Sequence, residues 1–452
     1  MSDPRIVSFV RFGCLVASAA LAVLLSAAPA RAQERTISLD EALRIARDNQ
    51  PALQAARAQA RQATARIGEA RAAYLPRVDA QTQYQRSTPN FLVSPMLLHT
   101  PLVKGYQAQN NLGAGDTVNY YLFGVSASQL IFDFWKTPSL ISQAEAIEQA
   151  SEADERTVAQ VTALNVRVSY YGVLAAQQLV MVGEETVRNQ QKHVEQVRRF
   201  VEAGQRTRFD QSSVELSLAN AQLALVRARD ALRLVRIRLN TAIGLDAPAD
   251  YGVVEPPSSP ATVEGKPARE LIDEAEQHRP EVIRAEAQVE AQRAGGRAAL
   301  AGYLPSISAL GGVSGAKVEG FGPGYDWFVG VGLNWNLLNG LYTTKQVAEA
   351  QAGEDAATAQ RASVHLAIVA DIEEQQLAIA DAAARSDLAE STVATATDRL
   401  QQAEHRYELG AGDVLELDDA QVAVSNAKAL RVQARYDMVT ARARLVRALG
   451  RD

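Results

Sequence analysis

The stretch Ala72-Ala73-Tyr74-Leu75-Pro76 decides the fold, because it returns 229 residues later as Ala301-Gly302-Tyr303-Leu304-Pro305. The same spacing relates Asn49-Gln50-Pro51 to His278-Arg279-Pro280. Further along each copy the spacing becomes 206, and the matched residues include two glycine pairs, Gly204 with Gly410 and Gly244 with Gly450. Two constant spacings that meet at one segment predict an internal tandem duplication with a single length change of 23 residues.

Residues 1–32 have the layout of a secretory signal peptide. Arg5 and Arg11 flank the start, an apolar run extends from Cys14 to Ala28, and Ala30-Arg31-Ala32 fits a small-x-small cleavage site. An uncleaved membrane anchor is the alternative. Cys14 is the only cysteine of the chain, so the mature protein is expected to contain no disulfide, thiolate metal site or cysteine nucleophile.

The duplication predicts repeat 1 over 33–250, an inter-repeat linker over 251–267 and repeat 2 over 268–452. Each repeat is predicted to contain an opening helix, a strand hairpin, a long helix and a return helix. The opening helices are expected over 38–74 and 268–303, and each ends before the proline of the repeated pentapeptide, because proline pushes the preceding residue out of the α region.

Beyond each pentapeptide the period of the apolar residues changes from 3.6 to 2, which predicts strands with two unlike faces. The second strand of repeat 2 shows this pattern best, since its apolar residues occupy every second position: Tyr325, Trp327, Val329, Val331 and Leu333. Strands of about ten residues can cross a bilayer at a tilt. The alternative is a soluble hairpin packed on the helices. The length difference lies in the hairpin loops, 87–118 against 315–324.

Long helical patterns without proline follow each hairpin, over 139–202 and 343–408. At 1.5 Å per residue these helices are about 95–100 Å long. Gly204 and Gly410 then mark turns into return helices over 209–243 and 413–449. One opening and one return helix together match one long helix, which predicts a two-ply wall of coiled-coil-like rods.

Composition and motifs argue against an enzyme or a nucleic-acid-binding protein. The chain has 46 basic and 52 acidic residues and a net charge of −6, and the arginine-rich stretch 227–238 is interpreted as a solvated helix face. The five histidines are scattered, and no HExxH, phosphate loop or serine elbow is present. We therefore predict no catalytic residue, no metal site and no cofactor.

The order of these elements and the paired turns resemble the TolC-like family of outer-membrane efflux and secretion channels. The turns read Arg199 to Asp210 and Arg406 to Glu416, and the resemblance covers the whole mature chain. It implies an α+β membrane protein that forms a homotrimer. Each subunit would give four strands to one 12-stranded outer-membrane β-barrel, continued by a long α-helical barrel in the periplasm.

The resemblance also implies partners and a gate at the periplasmic tip. A periplasmic adaptor of an inner-membrane pump would dock at the turns of Gly204 and Gly410. The residues implied to form the gate are Tyr407, Glu416, Asp419 and Asp210. The family often has an arginine where this chain has Gly412, and Arg206 is the candidate to replace it. The alternative for the acidic residues is that they favour a helix start through its dipole.

We therefore expect a passive exit duct in the outer membrane, extending into the periplasm and surrounded by outer-membrane lipid. It would serve a tripartite efflux pump or a type I secretion system. The competing hypothesis is a periplasmic coiled-coil adaptor or scaffold without a channel. The sequence leaves drugs, metal ions and polypeptides open as substrates.

Overall fold

A computed structural model describes residues 35–87, 117–246, 251–256, 265–318 and 323–451. The expected signal peptide lies outside the described residues, and so do the tips of both strand hairpins. The first half contains β1 (Arg35–Ile37), α1 (Leu39–Asn49), α2 (Pro51–Ala72), β2 (Arg77–Ser87), β3 (Val118–Phe132), α3 (Lys136–Glu202) and α4 (Arg208–Ile243). The second half contains β4 (Tyr251–Val253), α5 (Ala268–His278), α6 (Pro280–Ala301), β5 (Ser306–Val318), β6 (Gly324–Asn334), α7 (Tyr342–Glu408) and α8 (Val414–Ala448).

The two halves agree in the order and the lengths of their helices. α1 and α5 have 11 residues each, α2 and α6 have 22, and α3 and α7 have 67. The return helices α4 and α8 have 36 and 35 residues. The long helices and the return helices begin and end within a few residues of their predicted bounds.

The prediction of one continuous opening helix in each repeat is wrong, because each is broken into two. Gln50 separates α1 from α2 with φ −66° and ψ 117°, and Arg279 separates α5 from α6 with φ −72° and ψ 125°. Both residues precede a proline, whose ring disfavours the α conformation of its neighbour. Pro51 and Pro280 then occupy the first helical position, where their missing N–H costs nothing.

The end of each return helix abuts the break in the opening helix of its own half. Gly244 has φ +72°, and a Cβ on it would lie 2.9 Å from the backbone of Asn49. Gly450 has φ +75°, and a Cβ there would lie 2.8 Å from the backbone of His278. Only glycine fits, because both the left-handed backbone and the close approach exclude a side chain. The return helix and the second opening helix thereby form one continuous ply.

This ply runs beside the long helix over its whole length. Ion pairs mark the neighbours of α3 in order along it: Arg71–Glu145 with α2, Arg284–Asp154 with α6, Arg229–Glu184 with α4 and Lys428–Glu185 with α8. The side chains of these pairs are at least partly exposed, so each adds little stability. The buried residues between the helices are mostly alanine and valine, which let the helices approach closely.

A small parallel sheet closes the middle of the molecule, where β1 pairs with β4. Tyr170 of α3 is fully buried beneath it, and its hydroxyl lies 2.9 Å from the carbonyl oxygen of Ile37. The same hydroxyl accepts a hydrogen bond from the amide of Val254 at 3.1 Å. The start of the first half is thus tied to the beginning of the expected linker.

The four longer strands form one antiparallel sheet in the order β2-β3-β5-β6. β3 joins the two hairpins by pairing with β5 from Tyr120↔Val318 to Phe132↔Ile307, with an irregularity between Leu130 and Phe132. Among the described residues β2 pairs only with β3, and β6 only with β5. Across the described part of the chain, no helix combines the length and the apolar character needed to cross a membrane.

The glycines at the helix junctions give a test of this architecture. Gly244→Ala or Gly450→Ala should lower the free energy of unfolding by about 2–5 kcal/mol, because each adds an unfavourable φ and a backbone clash. Gly204→Ala, where a Cβ would meet nothing within 4 Å, should cost only the unfavourable φ, about 1–2 kcal/mol. Equal losses in denaturation of all three variants would show that the junction contact is unimportant.

Candidate functional site

One face of the sheet is apolar and exposed. Tyr325, Trp327, Val329, Val331 and Leu333 alternate along β6, and their side chains are between 63% and 80% exposed. Tyr121, Phe123 and Val125 of β3 are exposed on the same parity. A contiguous apolar surface of this kind is typical of a membrane or protein contact.

The face is ordered by aromatic contacts across three strands. Phe123, Gly315 and Tyr325 are register neighbours on β3, β5 and β6. The rings of Phe123 and Tyr325 meet edge to face with centroids 5.8 Å apart, directly over the glycine. A Cβ at Gly315 would clash with the ring of Phe123. Glycine on the central strand therefore makes room for two large side chains from its neighbours.

The opposite end of the molecule consists of the two helix-to-helix turns, which we call the tip (residues 199–210 and 406–419). Gly204 and Gly410 adopt φ of +74° and +72°. The turns close with matching hydrogen bonds, from the Gln205 amide to the Phe200 carbonyl at 2.8 Å and from the Ala411 amide to the Arg406 carbonyl at 2.9 Å. Glycine is needed here for its backbone conformation and not for space, since a Cβ would meet nothing within 4 Å.

Tyr407 is buried inside the tip of the subunit. Its ring is 2% exposed and packs with Val197 of α3 and Leu417 of α8. The guanidinium carbon of Arg206 lies 4.6 Å from the ring centroid, and Arg206 Nη2 donates to the carbonyl oxygen of Gly412 at 3.2 Å. One arginine of the first turn therefore holds both the aromatic ring and the backbone of the second turn.

Burial is also the main influence on the Tyr407 hydroxyl. It raises the pKa of the phenol, Arg206 opposes the rise, and Asp210 and Asp413 add to it. The phenol is consequently neutral throughout the physiological range. Because the buried core disfavours the phenolate, the stability that the neutral ring gives the tip is fully present below the ordinary pKa of about 10, and it is lost as the pH rises from there through the raised pKa.

Gly412 explains why the arginine contact comes from the first turn. A Cβ at Gly412 would lie 3.0 Å from the Tyr407 amide nitrogen and 3.1 Å from the Arg406 carbonyl carbon. A side chain at this position would have to displace backbone atoms. Arg206 reaches Tyr407 from the first turn without that cost.

The three acidic residues implied to line the gate have different surroundings. Asp210 Oδ2 accepts from the amide and the hydroxyl of Thr207, both at 2.9 Å, as part of a capping box at the start of α4. Glu416 pairs with Arg406 at 3.2 Å. Asp419 is exposed and has no ion pair among the described residues. Within the described residues, Asp419 is therefore the one of these three carboxylates that takes part in neither a helix cap nor an ion pair.

Sequence reasoning gave Asp418 too little weight. Its Oδ1 accepts from Gln190 Nε2 of α3 at 3.0 Å, and its Oδ2 accepts from Ser217 of α4 at 2.7 Å. This carboxylate therefore ties α8 to α3 and α4. A signal was available, since Thr186, Gln190 and His193 recur at helical spacing on a seam that is otherwise apolar.

Comparison with known proteins agrees with this geometry. The chain is 27% identical over 424 residues to the pyoverdine export outer membrane protein OpmQ of Pseudomonas putida, covering 91% of this chain and 85% of OpmQ. Its fold matches the crystal structure of a membrane protein from Pseudomonas aeruginosa with a TM-score of 0.76, at 20% identity over 91% of this chain and 90% of that one. The outer membrane protein VceC from Vibrio cholerae matches with a TM-score of 0.74, at 18% identity over 91% and 96% of the two chains.

The family assignment rests on a match to most of the chain. The model of the family described as outer membrane efflux protein matches residues 42–245 and 271–451, which include both strand hairpins and both turns of the tip. The chain therefore belongs to the outer membrane efflux protein family, and it is an outer-membrane efflux channel that extends into the periplasm and not an enzyme.

Proposed function

We propose that this protein is the exit duct of a tripartite efflux pump, assembled as a homotrimer with a periplasmic adaptor and an inner-membrane transporter. The observation that carries the proposal is the presence, in one chain, of an exposed apolar sheet and a pair of 67-residue helices. The alternative of a soluble periplasmic adaptor leaves the exposed face of β6 without a function. A type I secretion system would use the same conduit and is the second candidate.

The sheet supports assembly with other copies. Its outer strands β2 and β6 each present one unpaired edge within the described residues, and such edges favour pairing with another chain. Three copies would supply 12 strands, which can close into a β-barrel with the apolar face towards lipid. Closure would leave no free edge. The barrel, the trimer and the tandem duplication are parts of this proposal.

The conduit would be passive, with energy supplied by the inner-membrane partner. The described residues contain no group of three or more His, Cys, Asp or Glu suited to a metal ion. The relative OpmQ is named for the export of pyoverdine, which supports export as the direction of transport here. The substrate class is left to the pump that the duct serves.

The tip would hold the gate and the docking site. Three copies of Asp419 around a narrow pore would form a negative ring that favours cations, with Glu416 weakened by its pair with Arg406. Tyr407 would act from inside the subunit, as the residue through which Arg206 joins the two turns. Asp210 would fix the start of α4. The turns at Gly204 and Gly410 would present backbone to the adaptor.

Assembly can be tested with cysteine pairs, because the mature chain is expected to have no native cysteine. Gln83 on β2 and Phe328 on β6 lie on the face of the sheet opposite Phe123 and Tyr325, and each is replaced by cysteine. The double variant in outer-membrane fractions, treated with a short bismaleimide, should give crosslinked dimers and trimers on denaturing gels. Each single variant is the control. The proposed assembly would be contradicted if only monomers formed when the β6 cysteine was placed at each of several neighbouring positions.

The gate can be tested in planar bilayers. Asp419→Asn should reduce both cation selectivity and block by a trivalent cation added on the periplasmic side, because it removes one charge per subunit from the ring. Asp387→Asn is the matched control, since Asp387 is also exposed and lies far from the tip on α7. Unchanged selectivity in Asp419→Asn, or equal changes in both variants, would remove Asp419 from the gate.

The link between the two turns can be tested by hydrogen exchange. Arg206→Ala removes the ring contact and a charged hydrogen bond, together worth about 1–3 kcal/mol. The amides of Ala411 and Gly412 should then exchange at least about tenfold faster. Arg206→Lys should show an intermediate effect, since lysine lacks the planar guanidinium. Arg208→Ala, at an exposed neighbour, is the control. Unaltered protection in Arg206→Ala would mean that the turns are held by other contacts.

A further inference from the structure

In the half of the molecule next to the sheet, the helices form a layer that repeats the order of the strands. α3 packs between α2 and α6, and α7 packs on the other side of α6. The layer order is therefore α2-α3-α6-α7, as the sheet order is β2-β3-β5-β6. α3 and α6 each have a neighbour on both sides. Within the described residues, α2 and α7 are the outer helices of this layer, which leaves one flank of α7 open.

Side-chain contacts in this layer are repeated when residues are shifted by 229 from α2 to α6 and by 206 from α3 to α7. Two contacts between α2 and α3 recur in this way between α6 and α7. They are Thr64–Glu148 with Arg293–Glu354, both at 2.8 Å, and Arg57–Glu155 with Glu286–Arg361, at 3.4 and 3.0 Å. The second contact keeps its place although the charges of its two members are exchanged. The shifts therefore predict which positions face each other, whatever side chains occupy them.

The contact of α3 with α6 has no such counterpart within one chain. Gln143 of α3 lies directly against Gly295 of α6, where an added Cβ would be 2.8 Å from the Gln143 Nε2. The same shifts carry Gln143 to Glu349 on α7 and Gly295 back to Arg66 on α2. In the described part of one chain these two helices lie at opposite edges of the layer. Arg66 and Glu349 can therefore meet only if α2 of a second copy packs on the open flank of α7.

The charges on α2 and α7 are complementary in this register. Arg66 would face Glu349. Because the two helices run in opposite directions, three residues forward on α2 correspond to four residues back on α7, and this step places Glu69 opposite Lys345. All four side chains are exposed, and none has an ion pair among the described residues. A positive and a negative residue thus face each other at two successive turns.

We propose that the open flank of α7 binds α2 of a second copy of this chain, with Arg66 facing Glu349 and Glu69 facing Lys345. The proposal rests on the trimer of the proposed function and adds the contact that sets the height of each subunit on the next. Exposed ion pairs contribute little affinity. A slide of one turn would instead bring Lys345 against Arg66, so the four charges specify the register of the subunits.

Crosslinking tests whether the two positions meet. Arg66→Cys with Glu349→Cys, treated in outer-membrane fractions with a short bismaleimide, should give crosslinked dimers and trimers on denaturing gels. A spacer suits this pair because Arg66 keeps the helices further apart than Gly295 does. The register control is Arg66→Cys with Gln360→Cys, since Gln360 is also exposed but lies 11 residues, about 16 Å, further along α7. This control and each single variant should stay monomeric.

The outcome is separable from that of the proposed function. If the cysteine pair on β2 and β6 crosslinks while Arg66→Cys with Glu349→Cys does not, the trimer stands and this interface is wrong. Equal crosslinking of the register control also overturns the proposal, because it would show that the two helices have no fixed register.

Charge exchange tests whether Arg66 and Glu349 interact. Arg66→Glu or Glu349→Arg alone brings like charges together at each interface, so trimers heated in detergent should dissociate at least about tenfold faster on semi-native gels. The double variant restores opposite charges and should dissociate within about threefold of the wild-type rate. Arg61→Glu with Glu349→Arg has the same net charge, but Arg61 lines the groove between α2 and α3 of its own chain, so this control should not recover. Unchanged single variants, or a double variant that dissociates as fast as they do, would overturn the proposal.

Discussion

The structure depends on one constraint, which is that a helix of 67 residues must have a packing surface along its whole length. Such a helix is about 100 Å long and cannot be covered by a globular core. The chain covers it with two shorter helices placed end to end, and the contact of Gly244 with the break at Gln50 joins them. The same contact joins Gly450 to Arg279 in the second half. The sheet at one end and the tip at the other are held apart by this two-ply wall.

The residues buried between neighbouring helices determine how the two turns of the tip are positioned. Along most of the wall the buried residues are small and apolar, and they specify little beyond close approach. Towards the tip the contacts between the helices become polar, and Asp418 accepts hydrogen bonds from α3 and α4. Polar contacts of this kind fix the register of two helices, since a shift would leave their partners unpaired. The region proposed to form the gate is therefore the region where the alignment of the helices is specified.

The long helices and the hairpins could be predicted from sequence, because each follows from a local period and a local stop signal. The break at Gln50 could have been predicted as well, since Pro51 is the signal, but the surrounding helical pattern obscured it. The burial of Tyr407 beneath Arg206 could not, because it depends on packing between residues 201 positions apart. The pairing of Arg406 with Glu416 likewise requires the turn geometry. Family membership and outer-membrane location were predicted from the resemblance, the absence of enzymatic function was predicted from the missing motifs, and the family match confirms all three.

The two halves differ in how their helices begin at the tip. The start of α4 is closed by a capping box of Thr207 and Asp210, whereas Asp413 at the start of α8 makes no side-chain cap. α8 is held instead by the Arg406–Glu416 pair, which is partly exposed and weakened by salt, and by Arg206 from the other turn. The first turn is therefore stabilised within itself, while the second combines an ion pair of its own with a contact from the first. Separating the two turns would remove the Arg206 contact from the second turn and leave the capping box of the first turn intact.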